Sequence, residues 1–233
     1  MSKKKLIVNA DDFGQSEGIN KGIITTFELG ILTSASLMVR YPAAIAAAEY
    51  SIKNNLDLGL HLDLGEWIFS NNEWIPVYEV VSMDNEKVIE EEIVKQLNTF
   101  IRMVGRNPTH IDSHQHVHRN KSIRPLFFEI ARKLNVALRS FSQNVEYCGD
   151  FYGQNSNNTT YHEGISVSNL NRIISTLPEG ITELACHPGF NVEFETMYKI
   201  EREKEVNSLC DKSVRETIIN EDVELCSFSG IPF

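Results

Sequence analysis

Positive charge, cysteine and long apolar runs are all scarce in this chain, and each scarcity removes a class of function. Lysine and arginine number 22 against 32 aspartates and glutamates, for a net charge of −10. Such an acidic balance disfavours partners held through their phosphates, so no nucleic-acid partner is expected. The only basic run, Lys3-Lys4-Lys5, reads as a solvated tail. The cysteines, Cys148, Cys186, Cys210 and Cys226, show neither CxxC spacing nor disulfide-like clustering, and read as separate thiols of a reducing compartment. After MSKKK only Leu6-Ile7-Val8 precede polar residues again, too little for the apolar core of a secretory signal. No apolar stretch nears the roughly 20 residues that span a bilayer. A cytoplasmic protein without membrane association is the expectation. A Gly-rich phosphate loop, a GxSxG elbow and an HExxH helix are missing too, which argues against nucleotide hydrolysis, serine hydrolysis and zincin chemistry.

What remains is a composition of 42% hydrophobic and 23% charged residues, ordinary for a soluble globular protein. The length of 233 residues suits a single domain, 1–233, that buries enough surface to fold without disulfides or a structural metal. Short apolar strands alternate with amphipathic helices. KLIVNA, LTSASLMV, LDLGLHLDL, THIDSH, VALRSF, ITELACH and VELCSF read as strands. Between them, Ser16 caps a helix that Gly30 stops, Pro42 opens an alanine-rich helix, and Asp84 caps one running to Val104. Further helices cover IRPLFFEIARKL, a segment from Ser168 and a charged segment from about Tyr198. Residues 65–83 read as a loop or hairpin, and residues 143–163 as a mobile surface loop. Strand–helix alternation predicts an α/β fold with a mostly parallel sheet and helices outside it.

In such folds chemistry gathers at the C-terminal ends of the strands. Asp11-Asp12 ends the first strand, His61-Leu62-Asp63 the third, HIDSHQHVH the fourth and His187-Pro188-Gly189 the sixth. Each cluster alone has an ordinary reading as a cap, a turn or packing, but four of them on one edge point to a site. Four of the seven histidines fall at alternate positions of HIDSHQHVH. Extended chain would place His110, Asp112, His114, His116 and His118 on one face, but spread over about 26 Å at a rise of about 3.3 Å per residue. A metal–nitrogen bond is only about 2.1 Å, so at most one or two of these histidines can serve one metal. Aspartate and imidazole ligands on separate strands suit a divalent first-row ion with open positions for water and substrate, and the lack of cysteine in any cluster argues against a structural zinc site.

Four ordered blocks, VNADDFG, GLHLDL, PTHIDSHQHVH and ELACHPG, resemble the YdjC-like carbohydrate deacetylases, a family that includes chitooligosaccharide deacetylases. The resemblance implies a distorted (β/α) TIM-like barrel, polysaccharide-deacetylase-like. It also implies metal-dependent removal of N-acetyl groups from small N-acetylglucosamine sugars, such as diacetylchitobiose or its 6-phosphate. Carried over residue by residue, it puts one divalent ion (Mg2+ or Zn2+, with Mn2+ or Co2+ as alternatives) on Asp12, His61 and His114. It makes Asp11 the catalytic base and His187 the general acid. Asp63 and Asp112 are expected to orient ligands or the acid from behind, and His116, His118 and Arg139 to touch sugar hydroxyls or a phosphate. Both carboxylates of Asp11-Asp12 can face one site only if the strand ends there, because neighbours in a strand diverge. Gln115 stands where many members have another histidine, and the stretch from Gly65 to Asp84 is shorter than in some relatives. The expected partner is a small acetylated amino sugar, and barrels of this kind often pair through exposed apolar helices, so a homodimer is expected. A metal-dependent phosphoesterase or amidohydrolase-like enzyme and a non-catalytic sugar-binding protein are the alternative readings.

Overall fold

The computed structural model describes residues 4–70, 73–155, 159–192, 194, 196 and 198–233. Its first strand, β1 (Lys4–Phe13), is buried along all but its first two residues, as a central parallel strand must be when both faces are covered. Ser16 then caps α1 (Glu17–Leu29), its Oγ accepting from the Ile19 N–H at 3.2 Å, and Ile19 and Ile23 form the buried stripe of the helix. The chain continues through β2 (Ser34–Leu37), α2 (Ala44–Asn54) and β3 (Asp57–Leu62). A separate antiparallel hairpin follows, β4 (Gly65–Ser70) and β5 (Glu73–Glu79), and then α3 (Glu86–Val104), capped by Asn85 rather than Asp84. Next come β6 (His110–Ser113), α4 (Arg124–Leu134), β7 (Ala137–Leu138) and β8 (Glu146–Cys148). The chain closes with α5 (Val167–Ser175), β9 (Gly180–Cys186), α6 (Glu201–Leu209), α7 (Lys212–Asn220) and β10 (Glu224–Leu225).

The main sheet runs β7-β6-β3-β2-β1-β9-β8, with β10 added to the start of β1, and every pairing in it is parallel. The sheet curls: Arg139, just beyond β7 at one end of the order, reaches Glu183 of β9 near the other end at 2.7 Å. Among the described residues β7 and β8 do not pair, so the expected distorted barrel is an open, curled one. Its main apolar core runs from Leu6 to Val223. No helix among the described residues is long and apolar enough to cross a membrane.

Three segments differ from the sequence expectation. The expected loop over 143–163 contains β8, a three-residue strand too short for a periodic signal, which pairs with Thr182–Leu184; residues 156–158 of that stretch lie outside the described residues. The expected helix from about Tyr198 is two helices, because Asp211 caps α7 and breaks the run after Cys210. HIDSHQHVH is extended only to Ser113. From His114 to Arg119 it is a 3₁₀ turn, with Gln115 and His116 at positive φ of 48° and 54°.

Candidate active site

The C-terminal edge of the sheet gathers side chains from five strand ends around one cavity of about 840 Å3. β1 delivers both of its aspartates there because the strand is bulged: Asp12 has φ of 66°, and the β1–β2 register shifts between Ala10 and Phe13. The left-handed residue reverses the usual alternation, so Asp11 and Asp12 both line the cavity. The strand therefore need not end at the pair; the bulge does what an ending would.

Asp12 Oδ1 lies 3.4 Å from His61 Nε2 at the end of β3 and 3.1 Å from His114 Nδ1, the first residue after β6. Asp12, His61 and His114 offer ligand atoms all within 4.8 Å of one another, which fits a single divalent cation. Their surroundings fit it too. Asp112 Oδ1 holds His61 Nδ1 at 2.7 Å, which turns Nε2 towards Asp12. Among the described residues the buried His114 Nε2 has no hydrogen-bond partner, and Glu66 Oε2 stands 3.7 Å from it. Burial by itself would lower both imidazoles, but carboxylates overcome it: Asp112 and Asp11 push His61 up to about 10, and Asp12 and Glu66 push His114 up to about 9. Burial would also raise Asp12, yet Arg202, at 2.7 Å from Oδ2, and the two imidazoles hold its carboxyl well below the usual range. A second trio, Asp11, His61 and Asp112, is equally close, but Arg139 already pairs with both of its carboxylates.

Arg139 corrects an expectation. It does not face the cavity to meet a sugar; it is buried behind the site, with its guanidinium shared by Asp11 (2.6 and 2.7 Å), Asp112 (2.8 Å) and Glu183 (2.7 Å). Burial tends to raise the Asp11 carboxyl, but this fork outweighs it and holds Asp11 ionised, its pKa below the ordinary value. His118 is likewise buried away from the cavity, its Nδ1 2.6 Å from Ser113 Oγ and its ring against Phe127 and Phe141. Only His116 of that group lines the cavity, 3.2 Å from Tyr147 Oη. Asp63 is also misplaced by the sequence reading: it contacts Arg40, Tyr41 and Tyr78 and none of the proposed ligands. His110, which shares their parity, is core, stacked on Phe228 with ring centroids 3.8 Å apart.

His187 sits immediately beyond β9, with Nε2 3.8 Å from Asp11 Oδ2. Its backbone N–H donates to Glu205 of α6, whose other oxygen accepts from Tyr198 Oη. Burial is the main force on both groups: it lowers His187 to about 4, against the pull of Asp11 and Asp12, and raises Glu205 to about 8. Glu66, Tyr198, Arg202 and Glu205 escaped the sequence reading. Arg202 and Glu205 lie in EREKE, where a charge run normally marks a solvated face; here the helix turns both inward. The one sequence signal is that Glu201, Arg202, Glu205 and Ser208 fall at helical spacing on a single stripe.

The fold and the site define an α/β barrel with a carboxylate–imidazole centre at its C-terminal edge, and this fold, though little of the sequence, is shared with a family 4 carbohydrate esterase from Streptomyces lividans (TM-score 0.59, 12% identity, 100% of this chain and 97% of that one). More particularly, the chain belongs to the YdjC-like protein family, whose model matches residues 5–220. A carbohydrate deacetylase of Thermoanaerobacter pseudethanolicus is 32% identical over 97% of this chain and 98% of its own. A chitooligosaccharide deacetylase of Yersinia enterocolitica is 28% identical over 97% and 99%. The solved structure of a candidate cellobiose-phosphate cleavage protein from Enterococcus faecalis V583 superposes over the full length of both chains at 25% identity, with a TM-score of 0.79.

Proposed function

We propose that this chain is a metal-dependent hydrolase that removes N-acetyl groups from small N-acetylglucosamine-containing sugars, diacetylchitobiose or its 6-phosphate among them, and releases acetate. The observation that carries the reading is the convergence of Asp12, His61 and His114 with Asp11 and His187 on the floor of one cavity. Two relatives named as deacetylases of carbohydrate and of chitooligosaccharide support it.

Asp12, His61 and His114 would hold the cation, which supplies polarisation of the acetyl carbonyl and acidification of water. Asp11 is kept ionised by Arg139 and is therefore ready to accept a proton from the attacking water. The Arg139 fork also aims it, leaving Oδ2 3.8 Å from His187 Nε2. With its pKa near 4, His187 rests as neutral imidazole. The proton it gives the departing nitrogen is then the one that Asp11 took from water, passed from carboxyl to imidazole. The C–N bond breaks, the nitrogen leaves as the neutral amine with that proton, and the water oxygen ends in acetic acid, which gives up its remaining proton to solvent to become acetate. Glu205 and Tyr198 hold the backbone and ring of His187 for this transfer. The phosphoesterase alternative needs more carboxylates or a bridging lysine at the strand ends, and the further carboxylates there, Asp11 and Asp112, are paired with Arg139.

The test is acetate release from N,N′-diacetylchitobiose and its 6-phosphate by metal-stripped protein, alone and with zinc, magnesium, manganese or cobalt. Metal-dependent acetate is the expected result. Folded, metal-loaded protein that releases none from either sugar contradicts the reading.

A further inference from the structure

Both tryptophans of the chain, Trp67 and Trp74, lie on the β4–β5 hairpin, outside the main sheet. Trp67 pairs with Pro76 and Phe69 with Trp74, so these four side chains share one face of the hairpin. The register shifts between Glu66 and Trp67, which lets both of those residues line the same cavity as Asp12 and His114. Trp74 lines it as well, yet remains 62% exposed, and Phe69 beside it 44%. Large apolar rings left in water cost stability unless something covers them.

The hairpin is held at a fixed distance from the reacting centre. Gln115, the residue after His114, clamps it with a paired amide contact: the Trp67 N–H donates to Gln115 Oε1 at 2.9 Å, and Gln115 Nε2 donates to the Trp67 carbonyl at 2.8 Å. At the root, Tyr78 Oη donates to Asp63 Oδ1 at 3.1 Å, and Arg40 holds the same carboxylate at 2.6 Å. This explains Asp63: it anchors the hairpin, not the metal ligands. The departure at Gln115 has the same explanation, because an imidazole cannot present a donor and an acceptor side by side as an amide does. The cavity of about 840 Å3 lies towards the upper end of the roughly 300–1,000 Å3 found for small-ligand pockets, roomier than one sugar ring requires.

We infer that the indole face formed by Trp67 and Trp74 is a second sugar subsite, which receives the pyranose ring bonded to the residue being deacetylated. A pyranose presents apolar C–H faces, and a preformed aromatic plane covers one of them at little entropic cost. The inference rests on the deacetylase reading and adds to it which side chains of this chain hold the second ring. Trp67 and Trp74 are the only tryptophans, so intrinsic tryptophan fluorescence reports on this face directly.

The experiment has two arms. Fluorescence of metal-stripped protein is titrated with diacetylchitobiose and with N-acetylglucosamine, and kcat and KM for both sugars are measured on loaded wild type, Trp74→Ala and Trp74→Phe. A saturable fluorescence change with the disaccharide, at concentrations where the monosaccharide gives none, is expected. In Trp74→Ala the ratio of kcat/KM for disaccharide over monosaccharide should fall about tenfold, mostly through KM, and Trp74→Phe should recover most of it. An unchanged ratio in Trp74→Ala overturns the subsite while leaving the deacetylase reading in place. If neither sugar yields acetate, it is the deacetylase reading that fails, and the fluorescence arm decides the subsite: a disaccharide-specific change keeps it and no change removes it.

Discussion

Asp12 takes a left-handed backbone conformation that costs most residues energy and that aspartate tolerates better than most. That single torsion brings two sequence-adjacent carboxylates to one cavity, and two arginines then give them different tasks. Arg139 grips both oxygens of Asp11, whereas Arg202 takes only Oδ2 of Asp12 and leaves Oδ1 facing the imidazoles. Glu205 shows what burial does without such a partner. Burial raises its folded pKa to about 8 from the ordinary glutamate value of about 4.5, so between those pH values the folded state holds a proton the unfolded chain lacks. Stability from this group is therefore fully present below about 4.5 and is lost as pH rises through 8. Glu205→Gln keeps the shape of the protonated acid, so its melting temperature relative to wild type should climb by a few degrees between pH 5 and pH 8.5. Thermal melts at both pH values check this, and an equal offset at the two would contradict it.

Among elements, α1 shows how packing reaches the site. A Cβ at Gly22 would stand 2.4 Å from the Gly189 Cα, against the loop that carries His187. Gly22→Ala should destabilise the fold by about 1–3 kcal/mol through overpacking, and should lower kcat by displacing His187. Urea denaturation together with acetate kinetics tests both; a neutral substitution would mean that the helix moves freely past the loop. The helices and central strands were legible in the sequence because capping residues and apolar runs are local signals: Ser16 and Gly30 bound α1 as expected. Less of the rest was legible because its causes are not local. β8 exists only through its pairing with β9, and the split of the last helix turns on one capping contact at Asp211. The 3₁₀ turn after Ser113 is fixed by contacts to other segments, among them Gln115 with Trp67 and His116 with Tyr147.

At the scale of the molecule, curling the parallel sheet brings together residues more than a hundred positions apart, such as Asp12 and His114. Sequence could place the acid and imidazole clusters on one edge because strand polarity alone does that. It could not say which of them faces inward behind the cavity, so Arg139 and His118 read as sugar contacts although they are buried supports. Nor could it reveal Arg202 and Glu205, which come from α6, beyond the blocks that carry the resemblance. The parity of HIDSHQHVH resolves accordingly. His110 packs in the core, Asp112 supports His61, His114 joins the proposed metal centre, His116 borders the cavity and His118 is core again. The most direct test of that centre is a zinc titration of the stripped protein by calorimetry, on wild type, His114→Ala and Asp11→Asn, with acetate release measured on the same samples. One ion per chain in wild type and Asp11→Asn, none in His114→Ala, and turnover only in wild type is the predicted result. Undiminished zinc binding by His114→Ala, or near-normal turnover by Asp11→Asn, would contradict the assignment.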